Sequence, residues 1–167
     1  MLPHLKQACI ALVTVAASVT LLLLPAPPAH AQSHPFAELP GSWAGRGNIT
    51  LSSGSHERIH CRATYAVREG GNDLQLALRC ASDSYSFDFR ANGRYGDGTI
   101  SGSWNETIQR AAGSFSGSVK GNHIAVRAEG PTFAALLDMT THSHRQSILI
   151  RSPGSPMSEV TIVLSRR

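Results

Sequence analysis

The sequence predicts an all-β protein: an antiparallel up-and-down meander barrel of 8–10 strands, with a two-sheet β-sandwich as the alternative. Three observations predict it. After residue 41 there is no helical stripe, only short alternating runs separated by Gly, Asn, Asp, Ser and Pro. Apolar residues keep to one side of each run and polar residues to the other, as in an antiparallel sheet with one buried face. The runs follow one another through hairpin-length connections, and a sheet that long is expected to curl and close, which removes its edges.

The strands are read in order. Residues 32–41 form an irregular lead-in. The first strand covers about 42–51, with Trp43, Gly45, Gly47, Ile49 and Leu51 on one face. The next two form a hairpin about Gly70-Gly71, because adjacent glycines accept the positive φ of a two-residue turn. That turn sets Cys61 opposite Cys80, Ala63 opposite Leu78 and Tyr65 opposite Leu76, and puts Arg62 beside Arg79. Cys61 and Cys80 then form a hydrogen-bonded pair with Cα atoms about 5.5 Å apart, within reach of a disulfide.

A turn at Ser82-Asp83 leads to 85–90, setting Tyr85, Phe87 and Phe89 against Cys80, Leu78 and Leu76. Residues 91–98 read as a loop. A turn at Gln109-Arg110 pairs Trp104 with Phe115 and Gly102 with Gly117. Gly121-Asn122 pairs Val119 with Ile124. Gly130-Pro131 sets Ala128 against Phe133 and His123 against Asp138. THSHR (141–145) leads into a strand with Ile148 and Ile150 inward. The last strand puts Val160, Ile162 and Leu164 inward.

Residues 1–31 read as a cleaved secretory signal peptide: Lys6, the apolar run 8–24, then Ala29-His30-Ala31 as a small-x-small site. The expected product is a single barrel domain over 42–167, preceded by the lead-in and destined for the periplasm or the extracellular space. Of three cysteines, Cys9 lies in the leader, so the even pair that remains suits a disulfide in an oxidising compartment. The formal net charge is +4, falling to +3 without Lys6. With no lysine run and no stacking cluster, nucleic acid is not expected as a partner.

Gly41-Ser42-Trp43 at the head of the first strand resembles the G-x-W start of lipocalins and the wider calycin barrels. That resemblance implies a barrel whose Trp plugs one end. The lipocalin pattern's second motif and its helix after the last strand have no counterpart here. The chain also resembles small exported proteins of high-GC bacteria, a likeness of composition and leader that brings no catalytic residues with it.

Candidate sites follow from the facing. Trp43, Tyr65, Phe87, Phe89, Trp104, Phe115 and Phe133 form an inward apolar set, mixed with Gly and Ala that leave room for a ligand. Arg62 opposite Arg79 is unfavourable unless an acid such as Asp88, or a bound anion, offsets the pair. His142 and His144 have the i, i+2 spacing of metal ligands on a strand, but sit at an expected hairpin tip. No metal or other cofactor is expected. No G-x-S-x-G elbow and no buried pair of acids is present, so no catalytic residue is assigned. The expected function is a non-catalytic binding module for a small apolar or amphipathic molecule. Two alternatives stand beside it: an envelope interaction protein using an Arg-rich outer face, and a small outer-membrane barrel.

Overall fold

The structure, a computed structural model, describes residues 35–68, 70–131 and 134–167. The expected leader and Phe133 lie outside the described residues. Ten strands run in sequence order: β1 Gly41–Leu51, β2 His56–Val67, β3 Asp73–Ala81, β4 Ser86–Gly96, β5 Thr99–Glu106, β6 Ala111–Lys120, β7 His123–Glu129, β8 Ala134–His142, β9 Arg145–Arg151 and β10 Met157–Arg166. Each pairs antiparallel with its sequence neighbours, and β1 pairs with β10 to close the barrel. The up-and-down barrel, not the sandwich, is the fold.

Carried once round the barrel, the ladder registers return to β1 displaced by about 12 residues. With ordinary strand spacing and rise, that stagger tilts the strands by about 40° and gives a backbone radius of about 10 Å. Eight strands already leave a lumen that side chains fill or that holds one small ligand, so ten leave more room.

The β2–β3 register is the one expected, with Cys61 opposite Cys80 and Arg62 opposite Arg79. The turn differs from expectation. The Arg68 amide donates to the Asp73 carbonyl and the Gly71 amide to the Arg68 carbonyl, each at 3.0 Å, so the connection is longer than two residues. This moves the hydrogen bonds by one position. Cys61 and Cys80 become a non-hydrogen-bonded pair, with Cα atoms 4.1 Å apart and the disulfide formed. The Gly121-Asn122 hairpin pairs Val119 with Ile124 as expected.

Three other registers slip by two residues. Phe87 and Phe89 face Cys80 and Leu78; Trp104 faces Gly113 and Gly102 faces Phe115; Ala128 faces Ala135. The cause lies in the turns. Ser82 Oγ accepts from the Tyr85 amide at 2.9 Å, while the Ser82 amide donates to the Tyr85 carbonyl, which widens that turn. At the β5–β6 turn, Glu106 accepts from the amides of Ile108 and Gln109 and holds four residues between the strands. Residues 91–96, expected as loop, continue β4. At Gly93 an added Cβ would crowd the side-chain ends of Ile100 and Phe115 inside the barrel.

Candidate functional site

The two ends of the barrel differ. The end holding the start of β1 and the Gly121-Asn122 turn is sealed. Phe36 and Leu39 of the lead-in are 0% and 3% exposed, and Trp43 beneath them is 1% exposed. Trp43 Nε1 donates to the Leu39 carbonyl at 2.8 Å. Arg166, at the end of β10, lies 4.7 Å over the Trp43 ring and donates to the carbonyls of Pro40 and Glu38. Trp43 is therefore buried at one end of the barrel, covered by the lead-in and Arg166. Arg166, Phe36 and Leu39 were not singled out in the sequence. The apolar residues of the segment FAEL just before the Gly-Ser-Trp were the available signal.

A polar relay crosses this floor. Tyr65, in edge contact with Trp43 at 6.4 Å, donates its hydroxyl to Gln146 Oε1 at 2.7 Å, and Gln146 Nε2 donates to Thr141 Oγ1 at 3.0 Å. Gln146 is wholly buried and satisfied. Burial pushes the Tyr65 phenol well above its ordinary range, outweighing the opposing pull of the Gln146 bond.

Towards the other end Ile49 and Ile59 stay buried, at 0% and 1% exposed, but several other apolar wall residues are less covered. Phe87, Phe89, Phe115, Leu137, Ile150 and Val160 occupy inward register positions and are only half-buried. Phe89 stacks on Trp104 at 5.7 Å and 19° between planes. Trp104 is 3% exposed, with its indole edge close to Gly113 and Gly130, where a Cβ would collide with it. The Cys61–Cys80 bridge is buried among these inward residues. Glu106 stands at the rim, its carboxylate also accepting the Asp88 amide at 2.7 Å. Of the expected inward set, Trp43, Tyr65 and Trp104 are buried, while Phe87, Phe89 and Phe115 are half-buried, with Phe89 stacked on Trp104.

On the outer wall, Arg79 bonds Asp88 Oδ2 through Nε at 2.9 Å and Nη2 at 2.8 Å, and Arg90 Nε stands 3.6 Å from Oδ1. Asp88 lies directly opposite Arg79 and is the acid that offsets it. Arg62 is exposed beside this pair. His123 Nε2 lies 3.4 Å from Asp138 Oδ1, although the register sets His123 opposite Thr140. His142 ends β8 and His144 follows in the turn, both exposed. Among the described residues no group of three or more His, Cys, Asp or Glu could hold a metal ion, and no helix is long and apolar enough to cross a membrane.

The geometry is that of an antiparallel calyx, plugged at one end and apolar within. No protein-family model and no curated protein sequence matches the chain. Solved structures share its fold, among them these two. One is Rv2717c from M. tuberculosis, with a TM-score of 0.63 and 17% identity over 82% of this chain and 98% of that one. The other is the S-type phycobiliprotein lyase CPES from Guillardia theta, with a TM-score of 0.56 and 10% identity over 79% of this chain and 90% of that one. At these identities the likeness carries the fold alone.

Proposed function

We propose that this barrel is an exported, non-catalytic binding module that holds a small apolar or amphipathic molecule in its half-open part. The observation that carries the reading is a set of inward apolar side chains that are not fully covered: Phe87, Phe89, Phe115, Leu137, Ile150 and Val160 keep accessible apolar surface, although Ile49 and Ile59 nearby are buried. Apolar surface kept inside a wall is what a preformed small-molecule site needs. The name of the Guillardia theta neighbour, a lyase for a phycobiliprotein, is compatible with small-molecule handling on this scaffold. The disulfide is consistent with an oxidising compartment.

The outer wall argues against a membrane-spanning barrel. Its outward positions carry Arg46, Arg58, Arg62, Arg79, Arg94, Arg127 and Arg151, while apolar residues point inward, the reverse of a lipid-facing surface.

The test fills the lumen. Leu137→Trp adds bulk where wall residues are half-buried. An environment-sensitive apolar dye, and any ligand co-purifying from the native compartment, is expected to bind at least about tenfold more weakly to this variant at unchanged fold, a loss of about 1.4 kcal/mol. Equal dye binding by both proteins, with no ligand seen by native mass spectrometry, refutes ligand storage.

A further inference from the structure

Beyond the lumen reading, and independent of it, we propose that the outer face of β1 and β2 is a binding strip for a linear polymer of phosphate groups. Four successive outward positions of β2 are His56, Arg58, His60 and Arg62, and all four are exposed. Alternate residues on a strand stand about 7 Å apart, so the row extends for about 20 Å. Arg46 of β1 joins it directly opposite His60, and Asn48 stands opposite Arg58. A surface groove runs between the two strands, lined by Arg46, Asn48, Arg58 and His60 over the backbone of Gly47 and Ile59.

The arginines here form a group without the acid partners that most others on the wall have. Arg79, Arg90, Arg94, Arg127 and Arg151 each have an acid within ion-pair reach. Among the described residues, Arg46, Arg58 and Arg62 have none. The single acid of β2, Glu57, is turned to the β3–β4 connection, where its carboxylate accepts the Ser84 amide at 2.8 Å. Like charges set side by side on a sheet repel one another, and an external anion offsets that cost. Arg79 borders the row through its register with Arg62, but Asp88 already neutralises it.

The shape of the wall selects the occupant. On a convex barrel the side chains of neighbouring strands splay apart, so a single ion would meet one or two guanidinium groups. A chain laid along β2 meets them all. The outward residues of β1 and β2 include no Leu, Ile, Phe or Trp to enter a lipid surface. They include no Phe, Tyr or Trp on which bases would stack, so the strip is read as one for phosphate groups.

The experiment titrates short-chain inorganic polyphosphate into the folded protein by calorimetry at low salt, then repeats it at rising salt. Binding is expected, with an affinity that falls steeply as salt rises. Arg46→Glu combined with Arg58→Glu should weaken it by at least about tenfold and flatten the salt dependence. Arg127→Glu combined with Arg151→Glu, an equal change in net charge elsewhere on the wall, should leave it within about twofold. If the charge-reversed β1–β2 variant does not fold, Arg46→Gln with Arg58→Gln carries the same expectation. Three results each overturn the proposal: equal weakening by the Arg127/Arg151 control, orthophosphate binding as tightly per phosphate as the polymer, or binding to phosphatidylglycerol vesicles without binding to polyphosphate.

Discussion

Arg166 and Phe36 are predicted to be energetically coupled, because both hold the same short segment against the Trp43 end. Phe36→Ala removes a fully buried ring. A buried phenylalanine costs about 3–5 kcal/mol on truncation, and the low end applies here because the segment can release instead of leaving a rigid void. Arg166→Ala removes a cation stacked 4.7 Å over Trp43, worth about 0.5–1 kcal/mol. It also removes the donors to the Pro40 and Glu38 carbonyls, which water partly replaces, for a total of about 2 kcal/mol. Once either change frees the segment, the other has less left to break. The double variant should therefore lose at least about 1 kcal/mol less than the sum of the single losses. Urea unfolding at equal m-values measures the cycle. Hydrogen exchange at the Leu39 amide, bonded to the Phe36 carbonyl at 3.0 Å, should accelerate in each single variant. Additivity to within about 0.5 kcal/mol, with Leu39 still protected, refutes the idea of one docked plug.

Three further predictions rest on the wall and the floor. Replacing Cys61 and Cys80 by Ser should cost about 3 kcal/mol for a bridge spanning 19 residues, and reductant added to the wild type should lower its melting point by a matching amount; no change on reduction would contradict it. Gly102→Ala should destabilise by about 1–3 kcal/mol, since the new Cβ would overlap the Asn92 carbonyl and the Phe115 ring, whereas Gly96→Ala, with open space around it, should stay within about 0.5 kcal/mol in the same chemical denaturation. The Tyr65 contribution should be full below the ordinary phenol pKa of about 10 and decline above it, because the unfolded chain then ionises while the buried phenol stays neutral. Urea midpoints measured between pH 8 and pH 11 should show that extra alkaline loss in the wild type and not in Tyr65→Phe; parallel curves would refute it.

The parity of each strand was legible in the residues, and the register only where a glycine-rich turn pinned it. Hydrophobic alternation has a period of two, so a slip of one residue would expose Phe87 and Phe89, but a slip of two leaves every inward residue inward. The expected pairings at Ser82–Tyr85, Thr107–Arg110 and Gly130 were displaced by that undetectable amount. What set the first two was side-chain capping by Ser82 and Glu106, residues whose letters do not announce it. Residues 91–96 were misjudged for a related reason. Gly93 and Asn92 look like loop chemistry, yet the side-chain ends of Ile100 and Phe115 lie beside the glycine inside the barrel. The candidate site was legible as a list of inward aromatics. Its division into sealed floor and accessible wall was not, because that depends on the stagger of the ladder and on the lead-in docking.

The seam between β1 and β10 has a consequence for how the molecule is made. Trp43 pairs with Arg166 and Ile49 with Val160, so the earliest strand waits for the latest one. Until β10 has emerged, β1 keeps a naked edge and its tryptophan has no cation above it. Such distant pairing favours slow completion, in milliseconds to seconds rather than microseconds. The barrel thus stays unclosed until its last strand has been made, and the β1–β10 seam is the step that completes it.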